Sequence, residues 1–97
     1  MVKLLYLGHS CFLLSNEQES LIFDPHINGN PGAGDLDPQN LVVDYVLISH
    51  AHADHLGDGV EICQKNNAVL VSTFEVGNLC RSQGVSRIHT GHIGGRA

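Results

Sequence analysis

Val42-Val43-Asp44-Tyr45-Val46-Leu47-Ile48-Ser49 runs without a break into His50-Ala51-His52-Ala53-Asp54-His55, and the junction of these two segments decides the reading of the whole chain. The first segment is rich in β-branched residues and reads as a strand. The second packs three imidazoles and a carboxylate into six residues. Donors so close together would repel one another on protonation and resist burial unless a cation lay among them, and a divalent metal ion is the simplest such cation. Catalytic and ligand-binding groups in α/β proteins gather at the carboxyl ends of strands, where loops converge on a rigid sheet. The histidine run begins at such an end.

Spacing sharpens this. In extended backbone, side chains at i and i+2 point to the same side, so His50 and His52 can converge on one ion. Asp54 and His55 are adjacent and would diverge in extended chain. A helical turn starting there would let the pair face a second point, which suggests two neighbouring ions. With imidazole and carboxylate donors and no thiolate nearby, zinc fits first, while manganese and iron stay open.

Outward from the motif, three apolar runs, Val2 to Leu7, Cys11 to Ser15 and Ser20 to Asp24, are separated by Gly8-His9-Ser10 and Asn16-Glu17-Gln18-Glu19. They predict a meander of three strands. The glycine- and proline-bearing stretch from His26 to Gln39 predicts a long loop of the kind that rims an active site. After the motif, Val60 to Lys65 predicts a helix with Asp58 as its amino-terminal cap. Ala68 to Ser72 predicts a buried strand, Phe74 to Ser82 a second helix stopped by Gly84, and Val85 to Thr90 a last strand. Alternating strands and helices imply parallel crossovers, so the sheet is expected to be mixed, meander first and parallel afterwards.

Composition bounds the function. The chain has 97 residues, of which 42% are hydrophobic and 15% charged, a globular composition with one structural unit over 1–97 and no linker or repeat. Ten carboxylates outnumber five basic residues for a net charge of -5. Lys3, Lys65, Arg81, Arg87 and Arg96 are scattered, which argues against a nucleic-acid surface, since phosphate binding needs a concentrated positive field. Cys11, Cys63 and Cys80 are odd in number and widely spaced, so neither a disulfide framework nor a thiolate zinc site is indicated. No apolar run approaches the roughly 18 residues of a membrane span. The expected partner is a small-molecule substrate, and the expected compartment is the cytoplasm.

His-Ala-His-Ala-Asp-His matches the H-x-H-x-D-H signature of the metallo-β-lactamase superfamily. Gly8-His9-Ser10-Cys11-Phe12, Leu21-Ile22-Phe23-Asp24-Pro25, Gly29-Asn30-Pro31 and Ile93-Gly94-Gly95 resemble one branch of it, the metal-dependent hydrolases similar to ascorbate-phosphate lactonases. The resemblance implies an α/β fold: the N-terminal half of a metallo-β-lactamase-type four-layer αββα sandwich. It further implies that His50 and His52 hold the first metal, that Asp54 and His55 hold the second, and that Asp54 also acts catalytically by steering the reactive water or accepting its proton. A water bound to a divalent metal loses its proton near neutral pH, so attack on an ester, lactone, amide or phosphodiester is the expected reaction.

Asp24 matches an aspartate that lies beyond the ligands, where it would accept a ring N–H from a metal-bound histidine; a strand-ending Asp-Pro turn is the alternative. His9 stands where the branch carries a histidine and is a candidate for the substrate pocket, with a plain turn histidine equally open. His89 and His92 flank a Thr-Gly pair read as a turn and match no ligand motif. His26 and Cys11 are weak candidates as well, Cys11 reading as a small core hydrophobe.

In this family, further ligands follow later in the chain: a histidine for the first metal, a bridging aspartate and a histidine for the second. The resemblance covers the first half only. The expectation is therefore a truncated or partial enzyme completed by a missing C-terminal half. The alternatives are a homodimer in which each copy covers the other's apolar sheet face, and a non-catalytic metal-binding or self-associating interaction module.

Overall fold

The computed structural model describes residues 1–34, 36–50 and 52–91, without the side chains of Ala53 and Asp54. His92 and Ile93-Gly94-Gly95 lie outside the described residues.

Among the described residues six strands form one sheet in sequence order: β1 (Lys3–Tyr6), β2 (Phe12–Ser15), β3 (Ser20–Phe23), β4 (Tyr45–Ile48), β5 (Val69–Thr73) and β6 (Ile88–Gly91). β1, β2 and β3 pair antiparallel, and β3 through β6 pair parallel. The sheet is mixed, as the pattern of short turns followed by helical connections predicts. Antiparallel neighbours need only a tight turn, whereas parallel neighbours need a crossover. Here α1 (Ala53–Leu56) and α2 (Gly59–Asn66) join β4 to β5, and α3 (Phe74–Ser82) joins β5 to β6. Between β3 and β4 the described residues of the crossover form no α-helix, only two 3₁₀ turns at Pro31–Ala33 and Pro38–Asn40. Among the described residues no helix is long and apolar enough to cross a membrane.

The pleat sends alternate residues to opposite faces. Leu13, Ile22, Val46, Leu70 and Ile88 stand in register across one face, and Ile22, Val46 and Leu70 are fully buried there. α2 and α3 cover this face. A Cβ on Gly77 of α3 would lie 2.7 Å from Thr90 Cγ2 and 3.2 Å from Ile88 Cγ2, so only glycine lets the helix sit this low on the sheet. Ile62, Cys63, Val76 and Cys80 complete the buried layer. Burial pushes the Cys63 thiol up to about 12 and raises that of Cys80, so both act as small apolar fillers.

The other face carries Leu4, Leu14, Leu21, Tyr45 and Val69 in one row, and Tyr6, Phe12, Phe23, Leu47 and Val71 in the next. None of these ten side chains is buried, and Leu4 and Tyr6 are 65% and 57% exposed.

Four local expectations need correction. β4 pairs only from Tyr45, because Val42 is 82% exposed and the chain before it is held through Ser20, whose hydroxyl donates to the Val42 carbonyl. Asp58 precedes α2 but makes no side-chain cap; its carboxylate turns to the His26 loop instead. Val85 belongs to the turn that closes α3, its N–H donating to the Cys80 carbonyl, so the last strand begins at Ile88. Thr90-Gly91 is strand rather than turn, Gly91 pairing with Thr73, and this places His89 on the sheet opposite Val71.

Candidate metal centre

β4 ends at Ile48, and the next residues bring the imidazoles together. The rings of His50 and His52 meet edge to face at 4.7 Å between centroids, and those of His50 and His55 lie 3.8 Å apart. Helical backbone from Ala53 makes this convergence: the His55 and Leu56 N–H groups both donate to the His52 carbonyl, turning the chain back on itself. Asp54 sits in the same turn, and its side chain lies outside the described residues.

Beneath the rings lies Asp24, just after β3, buried to 7% exposure and with a left-handed backbone (φ 42°) that a side chain rarely adopts. Its Oδ1 accepts the Ser49 N–H at 2.6 Å, and its Oδ2 accepts the Ser49 hydroxyl at 2.8 Å and lies 3.0 Å from His55 Nδ1. The Ser49 hydroxyl also lies 2.9 Å from His50 Nδ1. A carboxylate can only accept hydrogen bonds. The Asp24–His55 contact therefore puts a hydrogen on Nδ1 of His55, which in the neutral ring leaves the lone pair on Nε2.

Two more histidines join the row. His9, in the turn between β1 and β2 at φ 57°, packs edge to face on His55 at 5.2 Å and on His26 at 5.8 Å. Five imidazoles thus run in contact order His26, His9, His55, His50, His52. His89 is exposed on β6 and is not among them.

Amide and carboxylate side chains far apart in sequence hold this row in place. Asn30 is buried, and its Nδ2 donates to the carbonyls of Leu7, Gly8 and His26, tying the His9 turn to the His26 loop. Asp58 accepts the N–H groups of Ile27 and Asn28 and the side-chain amide of Asn28. Gly57 presses on the same loop: a Cβ there would lie 2.5 Å from the Pro25 carbonyl oxygen, a clash with backbone that cannot yield. Cys11 lies under this region, fully buried; burial pushes its thiol up to about 11, with Asp24 and Asp58 adding to the shift, so it is no nucleophile.

Ser49, Asn30, Asp58 and the placement of His26 escaped the reading of the sequence. Ser49 alone carried a local signal, as a polar residue between an apolar strand and the histidine run.

Neutral imidazoles with Nδ1 held from behind are ligands suited to a borderline divalent cation. Among the described residues no three His, Cys, Asp or Glu side chains form a complete cradle for one ion. The described donor set fits a metal in its chemistry.

Residues 3–96 match the profile of the beta-lactamase superfamily domain. The chain belongs to that family. Over 96 residues it is 47% identical to a protein named metal-dependent hydrolase from Desulforamulus reducens, covering 97% of this chain and 40% of the relative. A protein of the same name from Carboxydothermus hydrogenoformans is 43% identical over 95 residues, covering 98% of this chain and 41% of that one. Among solved structures, Igni18, a metallo hydrolase from Ignicoccus hospitalis, superposes with a TM-score of 0.84 at 33% identity, covering 99% of this chain and 42% of that chain. CmlA, a diiron β-hydroxylase from Streptomyces venezuelae, shares the fold alone at 18% identity and a TM-score of 0.66. This beta-lactamase superfamily chain therefore spans about 40% of the length of the curated relatives it matches. The fold is metallo-β-lactamase-like, and the sheet described above is the part of it that these residues make.

Proposed function

We propose that the chain supplies the first half of the active site of a metal-dependent hydrolase acting on a small-molecule ester, lactone or phosphodiester. The observation that carries this reading is the row of imidazoles anchored on Asp24 at the carboxyl ends of β3 and β4. The names of relatives 43–47% identical over nearly the whole chain support it.

His50 and His52 would hold one ion, and Asp54 and His55 a second. Zinc suits this donor set best, with manganese or iron as alternatives. A divalent ion bound here would supply Lewis acidity toward a carbonyl or phosphoryl oxygen and would acidify water near neutral pH. Asp54, one residue from His55, is assigned to orient the attacking water and take its proton. Asp24 holds the His55 ring through Nδ1 so that its Nε2 lone pair is presented to the ion. His9 and His26, next in the row, line the approach of substrate.

The remaining ligands are assigned to polypeptide corresponding to the part of the relatives that this chain does not match. The purified chain is then expected to take up zinc weakly and to turn over neither p-nitrophenyl acetate nor bis(p-nitrophenyl) phosphate. Adding a polypeptide that carries the later ligands of a relative should tighten zinc uptake and produce turnover of at least one of them. Tight zinc binding with no turnover in any mixture would overturn the hydrolase reading.

A second reading is favoured by the open apolar face of the sheet. Two copies stacked through it would make a closed sandwich with helices outside, a self-associating module. Solution mass separates the two: a monomer that gains activity on complementation supports the first, and a stable two-fold dimer the second.

A further inference from the structure

We propose that Ser49 is a positioning residue that passes the orientation of Asp24 on to His50, so that one buried carboxylate fixes the tautomer of two ligand rings at once. This rests on the metal-binding reading of the site.

The hydrogens available at Asp24 and Ser49 fix both rings. Oδ2 of Asp24 receives two contacts, the Ser49 hydroxyl at 2.8 Å and His55 Nδ1 at 3.0 Å, while Oδ1 is occupied by the Ser49 N–H at 2.6 Å. A serine hydroxyl has one hydrogen to give. With that hydrogen directed at the carboxylate, the Ser49 oxygen can only accept from its other neighbour, His50 Nδ1, at 2.9 Å. Nδ1 of His50 must then carry the ring hydrogen and Nε2 the lone pair, the same tautomer that Asp24 imposes directly on His55. The 3.5 Å contact from the Ser49 oxygen to His55 Nδ1 is the weaker of the two available to that ring and leaves the assignment unchanged.

The backbone explains why serine suits this position. Its N–H is tied to Asp24 independently of its side chain. The strand end therefore keeps its tie to Asp24 when the hydroxyl is removed, and that loss should be felt by the His50 ring and hardly by the strand. The neighbouring rings His50 and His55 would consequently both be set from Asp24, and His52 by neither contact.

The test uses the full chain without metal, under conditions where the imidazoles are neutral. Long-range ¹H–¹⁵N correlation reads which ring nitrogen is protonated, and backbone amide spectra check that each variant folds. In the unmodified chain His50 and His55 should both show protonated Nδ1. Ser49→Ala should return His50 to a mixture of tautomers while His55 keeps protonated Nδ1, and Ser49→Thr, which retains a hydroxyl, should restore His50. Asp24→Asn should release both rings. In parallel, zinc affinity should fall about 10- to 100-fold in Ser49→Ala, the usual effect of removing a group that orients a ligand, and recover in Ser49→Thr. Protonated Nδ1 on His50 persisting in folded Ser49→Ala would overturn the proposal, as would a Thr variant that behaves like Ala. Unchanged tautomer behaviour with no zinc uptake by any variant, the unmodified chain included, would instead count against the metal-binding reading.

Discussion

Ile22, Val46 and Leu70 are fully buried on the helix-covered face of the sheet, whereas their chain neighbours Leu21, Tyr45 and Val69, on the opposite face, remain partly open. The strands are equally apolar on both sides. Sheets that carry polypeptide on both faces read as continuous apolar runs, while sheets with one wet face alternate apolar with polar. β2 to β5 follow the first pattern, yet α2 and α3 cover one face only. The imidazole row sits beyond the carboxyl ends of β3 and β4. The contrast teaches that the packed core lies on the helix-covered side of the sheet, while the other side, equally a place for apolar side chains, stays partly open.

The largest effect that could break this contrast is thermodynamic. Leu70→Ala should cost about 2–5 kcal/mol in urea unfolding, because a fully buried leucine leaves a cavity behind. Leu21→Ala should cost less than half as much in the same assay. Equal losses would mean that the open face already contributes fully to the folded chain, and the distinction between the faces would fail.

Next in size is the anchor of the site. Asp24→Asn removes the acceptor shared by Ser49 and His55 and should weaken zinc binding about 10- to 100-fold by calorimetric titration. An affinity within twofold of the unmodified chain would show that Asp24 is only a turn residue. Asp58→Ala should act more locally, removing three hydrogen bonds from the His26 loop. Faster amide exchange at Ile27 and Asn28, with exchange in β4 and β5 unchanged, is the expected signature.

A further effect concerns pH. Burial lifts the Cys11 thiol from an ordinary value of 9.0 to about 11 and that of Cys63 to about 12. As pH rises above 9 the unfolded chain loses these protons first, so it binds fewer protons than the folded one and stability falls. The contribution should be complete below pH 9 and lost progressively as pH climbs through about 11 and 12, measurable as a falling urea midpoint. The same two thiols should resist alkylation at neutral pH until denaturant is added.

Much of this was legible in the sequence. α3 spans the predicted Phe74 to Ser82, because Thr73 caps its first turn and the chain after Ser82 closes in a turn around Gly84. The change from antiparallel to parallel pairing followed from the short turns before Ser20 and the helical connections after His52. The histidine run was visible because its spacing is local. What stayed hidden depends on contacts between residues far apart in the chain. Asn30 reaches Leu7, Asp58 reaches Ile27, and Ser49 reaches Asp24 across 25 positions. No local pattern announces such bonds. Asp58 shows the failure most clearly, since the same residue type one position before a helix reads as a cap and instead holds a distant loop.

The central claim is that an Asp24-anchored group of imidazoles at the strand tips grips a divalent cation. It is tested most directly by titrating zinc into the folded chain while following the imidazole ¹⁵N resonances. His50, His52 and His55 should each shift on saturation, with the change on Nε2 for His50 and His55, and His50→Ala combined with His52→Ala should weaken zinc uptake by about two orders of magnitude. Zinc uptake of equal affinity in that double variant, or saturation that leaves these three rings unmoved, would contradict the account.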